Sequence, residues 1–399
     1  MLTLDRVYKA KRVLSEVVRQ TDMIRAKNIS SHCDVYLKTE NLQVTGSFKV
    51  RGSYFKISQL SDEEKKKGVI ACSAGNHAQG VALAATKNGI KSLICLPDGA
   101  PISKVEATKR YGADVCLVKG VYDDAYNKAI ELQKEKGYTF IHPFNDPDVI
   151  AGQGTIGLEI LEQLNDVDTV VVPIGGGGLI SGVAYAIKSI KPECKVIGVQ
   201  AAGAASMYVS RKNGAPTELS SVSTIADGIA VKKPGDLTFE LCSKYVDDIV
   251  TVSEDEIASA ILKLMECQKT VSEGAGAVSV AAVMFGKVPT EGKKTVCVVS
   301  GGNIDVTMLS RIITKGLSKS GRMCEITTKV MDKPGQLISL LQVVSDTGAN
   351  IIRVNHSREA KLSDVTNCVV TMTLETRDPE HVKEIENALL AKGYELFDI

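Results

Sequence analysis

An apolar strand leads directly into four glycines in the stretch TVVVPIGGGGL at residues 169–179. Consecutive β-branched residues without alternation predict a strand that is buried on both faces, as in a parallel sheet covered by helices. The glycines let successive backbone N–H groups converge, and the helix that follows adds the positive end of its dipole. The stretch therefore predicts a phosphate-binding turn after a parallel strand, with a tight strand-to-helix turn as the alternative.

The same alternation of apolar strands and helices extends in both directions from this stretch. Helical segments such as residues 79–87 and 122–136 separate the strands. Because parallel strands need crossover connections of this kind, the order predicts an α/β protein with doubly wound parallel sheets. The expected strands lie at residues 69–72, 92–96, 113–118, 169–172, 196–199 and 295–299.

The pattern changes after Ser318, where a polar segment at residues 319–323 predicts a linker. The residues that follow have the order strand, helix, strand, strand, helix, strand, which is typical of a ferredoxin-like domain. The sequence therefore predicts a main domain at residues 1–318 and a small domain at residues 324–399.

Composition excludes several classes of function. The chain has 48 basic and 47 acidic residues, and a net charge of +1 offers no electrostatic surface for nucleic acid or an anionic membrane. No stretch reaches the roughly 18 uncharged apolar residues of a membrane helix, and the first residues lack the apolar core of a signal peptide. The ten cysteines form no CxxC pair. Reduced thiols in a cytoplasmic protein without a structural metal are expected.

One lysine lies in a setting that suits covalent chemistry. In the stretch TGSFKVRG at residues 45–52, Lys49 stands between Phe48 and Val50. Desolvation there would lower the pKa of the lysine and prepare it to form a Schiff base. The alternative is a lysine at a helix start with its ammonium group in solvent.

Two further predicted strands are followed by polar residues, just as the strand at residues 169–172 is followed by glycines. Ser73-Ala74-Gly75-Asn76-His77 follows one strand, and its backbone amides could bind a carboxylate. Ser300 follows another strand and presents a hydroxyl where α/β sheets place ligands, although an N-cap or a turn would use the same residue. His77 is interpreted as a structural residue, not a general base.

The stretch GQGTIG at residues 152–157 matches the dinucleotide-binding pattern GxGxxG. That pattern requires a preceding strand, whereas residues 145–148 predict a loop. The sequence therefore does not indicate a nicotinamide cofactor.

Together these segments resemble the threonine and serine dehydratases of the second fold type of pyridoxal-phosphate enzymes. The resemblance covers nearly all of residues 1–318, and its motifs occur in the family's order. The matching pieces are SFKVRG at 47–52, SAGNHAQGV at 73–81, IAGQGT at 150–155, GGGGL at 175–179, SEGAGA at 272–277 and SGGN at 300–303.

The resemblance implies pyridoxal 5'-phosphate as the cofactor and a role for each matching residue. Lys49 would be the Schiff-base lysine and catalytic base, Ser300 would face the pyridine nitrogen, and Asn76 would bond the ring hydroxyl. Gly228 and Glu273 would line the pocket, and a smaller lobe at about residues 40–145 would be inserted in a larger one. The implied cofactor-binding residues are Phe48, Lys49, Asn76, Gly175, Gly176, Gly177, Gly178, Leu179, Gly228 and Ser300, and the implied substrate-binding residues are Ser73, Ala74, Gly75 and Asn76.

The activity that the resemblance implies is deamination of L-threonine to 2-oxobutanoate and ammonia, and of L-serine to pyruvate and ammonia. The nearest rival is a serine racemase, which needs a second acid or base at the position of Ala74. The divalent-metal site of eukaryotic racemases is not expected, because Gln200 stands where their pattern has glutamate. A non-catalytic amino-acid sensor of the same fold is a further alternative.

The C-terminal segment resembles the ACT domains, which are small amino-acid-sensing modules. The resemblance rests on VMDKPGQL at residues 330–337 and on VNHSR at residues 354–358. It implies an allosteric effector site near Gly348, Ala349 and Asn350, between paired domains of a homodimer or homotetramer. The alternative is a dimerisation module without a ligand.

Overall fold

The computed structural model describes residues 2–360 and 365–397, and the chain divides into two compact units after Asp305. No helix in the described part of the chain is long and apolar enough to span a membrane. The strands of the described residues are β1 Met23–Arg25, β2 Asp34–Lys38, β3 Val69–Cys72, β4 Ser92–Pro97, β5 Asp114–Val118, β6 Thr139–Phe140, β7 Thr169–Pro173, β8 Lys195–Ala201, β9 Asp248–Val252, β10 Lys294–Val298, β11 Met323–Met331, β12 Asn350–Ser357, β13 Asn367–Glu375 and β14 Leu396–Phe397.

Helices connect these strands and cover the sheets. They are α1 Leu4–Leu14, α2 Lys49–Ser58, α3 Asp62–Lys67, α4 Asn76–Lys87, α5 Ile102–Arg110, α6 Tyr122–Lys136, α7 Pro147–Gln163, α8 Gly178–Ile190, α9 Ser206–Asn213, α10 Asp236–Tyr245, α11 Glu254–Gln268, α12 Gly274–Met284, α13 Val306–Lys319, α14 Gln336–Asp346 and α15 Pro379–Ala391.

The larger sheet of the first unit has the strand order β1-β2-β10-β7-β8-β9. All neighbours are parallel except β1 and β2. Every residue of β7 is buried, as its continuous apolar run predicts. From β7 the chain continues to β8 and β9 on one side and returns to β10 on the other. The crevice beyond the carboxyl ends of β7 and β10 is therefore a topological switch point, where such sheets bind ligands.

The smaller sheet has the order β5-β4-β3-β6, with every pair parallel. Its strands lie in sequence between β2 and β7 of the larger sheet. The chain moves outward from β3 through β4 to β5 and then returns to the opposite side of β3 as β6. Its switch point is beyond the carboxyl ends of β3 and β6. The predicted α/β class with two parallel sheets is confirmed.

The helix that carries the GxGxxG pattern is a packing element. Gly152, Gly154 and Gly157 lie inside α7, not after a strand. A Cβ atom at Gly152 would be 2.7 Å from the carbonyl oxygen of Arg51, and one at Gly157 would be 2.9 Å from the carbonyl oxygen of Val183. The glycines therefore let α7 pack closely against α2 and α8.

The second unit contains an antiparallel sheet with the order β12-β13-β11-β14. With α14 and α15 inserted between its strands, it has the connectivity of a ferredoxin-like fold, as predicted. The division of the chain differs from the predicted boundary at residue 318, because α13 belongs to the second unit. The polar segment after α13 is a tight turn: Gly321 has φ +65°, and its carbonyl oxygen accepts a hydrogen bond from Thr376 Oγ1 at 2.7 Å.

Candidate active site

Lys49 begins α2 beside the end of β10. Ser47 forms an antiparallel bridge with Gly301, and the amide of Phe48 donates to the carbonyl oxygen of Ser300 at 3.1 Å. This short pairing fixes the start of α2 at the switch point of the larger sheet. The structure thus brings together two motifs that are 251 residues apart, counting from Lys49 to Ser300.

The side chain of Lys49 is partly withdrawn from solvent. Its Nζ donates to the carbonyl oxygen of Pro143 at 3.0 Å and lies 5.3 Å from the centroid of the Phe48 ring. Burial lowers the pKa of Lys49 from 10.5 to about 8, and the negative charge of Glu273 opposes that shift. The desolvated lysine expected from the sequence is therefore present, and a larger fraction of it is the neutral amine near neutral pH than for an ordinary lysine.

The glycine turn follows β7 and carries a run of unpaired backbone amides. None of the N–H groups of Gly175, Gly176, Gly177, Gly178 and Leu179 donates a hydrogen bond to another described residue. Gly177 is the N-cap of α8 and offers no side-chain cap. Buried amides normally have partners, so a run of unpaired ones at a helix start indicates an anion site.

Close packing explains why these positions are glycines. Gly177 has φ +95°, and a Cβ atom there would be 2.7 Å from Met207 Cε and 2.8 Å from Thr238 Cβ. A Cβ atom at Gly176 would overlap the ring of Phe144, and one at Gly178 would be 2.8 Å from Phe144 Cα. Since Lys49 Nζ bonds to Pro143, the lysine and the glycine turn contact adjacent residues of the segment after β6.

Replacing Gly177 with alanine is expected to weaken binding of the cofactor at least about tenfold, because the turn must shift to admit the methyl group and its amides then diverge. The measurement is the affinity of the chain without ligand for pyridoxal phosphate, the cofactor that the resemblance implies, by absorbance titration. Gly214→Ala is the matched control, since Gly214 also has a positive φ, +71°, but a Cβ atom there would meet nothing within 4 Å. Equal affinity of the two variants would contradict this role.

Asn76 belongs to a hydrogen-bonded chain across the site. Its Nδ2 donates to Glu273 Oε1 at 2.7 Å, and its Oδ1 accepts from Asn303 Nδ2 at 2.8 Å. Burial raises the pKa of Glu273 from 4.5 to about 7, and the charge of Asp227 acts in the same direction. The hydrogen bond from Asn76 partly offsets that rise. Glu273 and Asn303 therefore hold the amide of Asn76 in one orientation.

The loop before α4 borders open space at Gly75. A Cβ atom at Gly75 would meet nothing within 4 Å, in contrast to the packed glycines after β7. Gly75 is the N-cap of α4 without a side-chain cap, and the amides of Ala74 and Asn76 donate to no other described residue. The loop from Ser73 to Asn76 thus offers unpaired amides beside free space.

Ser300 and Gly228 both lie beside the start of α12. Ser300 is buried at the end of β10, and its Oγ donates to the carbonyl oxygen of Ala275 at 3.3 Å. A Cβ atom at Gly228 would lie 3.3 Å from Glu273 Oε1, which places Gly228 at the same site. Gln200 is buried and bonded to backbone groups of Ile174, Ala204 and Tyr208.

His77 has the structural role that the sequence suggested. Its Nε2 lies 2.8 Å from the carbonyl oxygen of Ile141, and its Nδ1 lies 3.5 Å from Ser53 Oγ. Burial lowers the pKa of His77 to about 3, and the charge of Lys49 adds to the effect. The ring is therefore neutral and engaged at both nitrogens.

The predicted effector residues lie in the second unit, where α14 ends and β12 begins. Gly348 has φ +82°, which suits the end of a helix. Asn350 Nδ2 donates to Glu375 Oε2 at 3.1 Å across to β13.

The sequence patterns did not indicate a role for Asn303 or for the segment at Pro143 and Phe144. Asn303 is the last residue of the motif SGGN, so its position in that motif could have indicated a role in the site. Nothing in the sequence marks Pro143 and Phe144, because they reach the site only through the position of β6 beside β3.

A family model described as pyridoxal-phosphate dependent enzyme matches residues 14–301. The chain belongs to this family. The site suits the cofactor: the unpaired amides after β7 match its phosphate, and the lysine of lowered pKa nearby matches its aldehyde. The cofactor predicted from the sequence, pyridoxal phosphate, is confirmed by the family.

Several members of this pyridoxal-phosphate family are similar over much of the chain. The L-threonine ammonia-lyase of Thermotoga maritima is 55% identical over 398 residues, covering 99% of both chains. Maize serine racemase is 36% identical with a TM-score of 0.75, covering 80% of this chain and 98% of that one. The processed threonine deaminase isoform 2 of Solanum lycopersicum is 39% identical with a TM-score of 0.73, covering 78% of this chain and 93% of that one.

Proposed function

We propose that this pyridoxal-phosphate enzyme is a threonine ammonia-lyase that converts L-threonine to 2-oxobutanoate and ammonia, and L-serine to pyruvate and ammonia. The observation that carries the proposal is the meeting of Lys49 and the unpaired amides of the glycine turn at one switch point. The full-length similarity to the L-threonine ammonia-lyase of Thermotoga maritima supports the substrate.

In the proposed reaction, each group of site residues has a separate role. When bound, pyridoxal phosphate supplies an aldehyde for the substrate amine and a ring that accepts electron density from Cα. Gly175 to Leu179 would hold its phosphate through backbone amides. The loop from Ser73 to Asn76 would bind the substrate carboxylate, and Phe48 and Gly228 would border the ring. Lys49, whose pKa is about 8, is a suitable base for the Cα proton.

The residue that faces the ring nitrogen decides the outcome of proton removal. Ser300 is assigned to this position, and a neutral hydroxyl does not keep a pyridine nitrogen protonated as a carboxylate would. A neutral Ser300 would therefore make the bound ring a weaker electron acceptor, which favours elimination of the β-hydroxyl over transamination.

Replacing Ser300 with aspartate should slow formation of 2-oxobutanoate by about 10- to 100-fold and increase transamination, because the carboxylate would keep the ring nitrogen protonated and make the bound ring a stronger electron acceptor. Product assays report the rate, and cofactor absorbance reports transamination. Ser300→Thr keeps a hydroxyl and serves as the control. An unchanged elimination rate in the fully loaded aspartate variant would refute this role.

Racemisation is the rival reaction, and Ala74 argues against it. Its methyl side chain cannot exchange a proton on the second face of Cα. With L-serine as substrate, the proposal expects pyruvate and ammonia as the main products. D-serine in excess of pyruvate would replace the lyase assignment with a racemase.

We further propose a cytoplasmic homo-oligomer in which an ACT-type domain regulates activity. The ten cysteines of the chain are all free thiols in the structure, which suits a reducing compartment. The ferredoxin-like connectivity of the second unit and the VMDKPGQL motif support the ACT assignment. The effector would bind near Gly348, Ala349 and Asn350.

Calorimetry of the full-length chain with isoleucine, valine and nucleotides is expected to detect binding of one of them. Asn350→Ala should weaken that binding at least about tenfold, because the loss of a polar side chain leaves ligand groups unpaired. Asn213→Ala is the control, since Asn213 ends α9 in the first unit and its Nδ2 bonds only locally, to Thr217 Oγ1 at 3.1 Å. No heat for any of the three ligands would favour a dimerisation module without an effector.

A further inference from the structure

Three side chains of metal-binding type converge in the second unit. A carboxylate oxygen of Asp332, a ring nitrogen of His356 and the Sγ of Cys368 all lie within 4.8 Å of one another. His356 Nε2 is 2.8 Å from Cys368 Sγ. This cluster is the one group of three or more such residues found in the described part of the chain.

The register of the sheet produces the cluster. Cys368 on β13 pairs with Val330 on β11, and Asp332 follows the end of β11 two residues beyond Val330. His356 on β12 pairs with Val370, which makes it a diagonal neighbour of Cys368 on the same face. Side chains from three separate segments therefore lie together at one corner of the sheet.

The three groups differ in their exposure to solvent. Cys368 is buried, whereas Asp332 and His356 are exposed. A metal ion could therefore reach the cluster from solvent, and a water molecule could complete its coordination. Asp332 and His356 line a pocket of about 450 Å³ together with Arg358.

Arg358 fixes the carboxylate of the cluster. Its Nε donates to Asp332 Oδ2 at 2.6 Å, and its Nη2 donates to Asp332 Oδ1 at 2.9 Å. Each carboxylate oxygen keeps a further lone pair for a cation. Ligating carboxylates are commonly oriented by such partners, although the positive charge of Arg358 reduces the affinity of the site for a cation.

We propose that Asp332, His356 and Cys368 bind a divalent transition-metal ion of the zinc type. A thiolate, an imidazole and a carboxylate are the donor set that Zn²⁺ takes in tetrahedral sites, with water as the fourth ligand. Mg²⁺ and Ca²⁺ prefer oxygen ligands alone and do not suit this set. The simpler alternative is a hydrogen bond between Cys368 and His356 without a metal.

The test uses the full-length holoenzyme, titrated with Zn²⁺ in competition with a fluorescent chelator and, separately, with Co²⁺ followed by difference absorbance. One strong Zn²⁺ site per chain and a cobalt–thiolate charge-transfer band are expected. Cys368→Ser should remove the band, and His356→Asn should weaken Zn²⁺ binding at least about tenfold. Because His356 is exposed, the second variant should fold as the wild type does.

Cys324→Ser is the matched control, because Cys324 is a thiol of the same sheet, on β11, outside the cluster. It should leave both the Zn²⁺ affinity and the cobalt band unchanged. Equal Zn²⁺ affinity in the wild type and His356→Asn, or Co²⁺ binding without the thiolate band, would overturn the proposal. Because the readout is metal binding, the result does not depend on whether the chain deaminates threonine.

Discussion

Replacing Lys49 with alanine is expected to lower the rate of threonine deamination by about 10⁴-fold. The substitution removes the amine that bonds the cofactor and the base assigned to the Cα proton, and a positioned base alone contributes up to about that factor. The partial burial that lowers the pKa of Lys49 to about 8 suits both tasks. Initial rates of 2-oxobutanoate formation measure the loss, and the absorbance of the lysine-bound cofactor should disappear with it.

Lys56→Ala is the control for this experiment. Lys56 lies on the same helix, α2, but its ammonium group pairs with Asp146 at 2.8 Å, outside the site. That variant should keep the cofactor absorbance and most of the activity. A Lys49→Ala protein that folds, binds cofactor and retains more than about a tenth of the wild-type rate would exclude Lys49 as the base.

Replacing Arg51 with methionine is expected to lower the free energy of unfolding of the apoprotein by about 4 kcal/mol. The guanidinium is fully buried and donates to Glu40 at 2.8 Å and to Glu159 at 2.6 Å. Burial alone would raise the pKa of Glu40, but the charge and hydrogen bonds of Arg51, together with Lys38 and Thr21, outweigh burial and lower the pKa. Without Arg51, the ion pair between Lys38 and Glu159 remains, but the buried carboxylate of Glu40 loses its ion pair.

Denaturant unfolding followed by circular dichroism measures this loss. Arg25→Met is the matched control, because Arg25 pairs with Asp34 at 2.5 Å on the surface, where half of the arginine side chain is exposed. Exposed pairs contribute little, so the control should unfold at the wild-type midpoint. Coinciding midpoints for the two methionine variants would show that the buried network around Arg51 does not stabilise the fold.

The elements of the first unit could be read from the sequence because buried parallel strands are continuous apolar runs. The predicted strand at residues 69–72 and the predicted helix at residues 122–136 have the bounds that the structure gives. The order of strands could not be read in this way, since it depends on pairings between distant segments. The two switch points, and with them Pro143 and Phe144, therefore emerged only from the structure.

The hydrogen-bond partners of the motif residues also could not be predicted from the sequence. Lys49 and the glycine turn were found as local patterns, but the chain from Asn303 through Asn76 to Glu273 joins three distant segments. The division of the chain into units also depends on contacts between distant residues. The polar residues after α13 suggested a linker, whereas Gly321 packs against Pro379 within the second unit.

The measurement that tests the central proposal most directly is the conversion of L-threonine by the full-length protein reconstituted with pyridoxal phosphate. We expect one 2-oxobutanoate and one ammonia for each threonine consumed. Threonine that is recovered unchanged, or converted only to its Cα epimer, by fully loaded protein would contradict the assignment of this chain as a threonine ammonia-lyase.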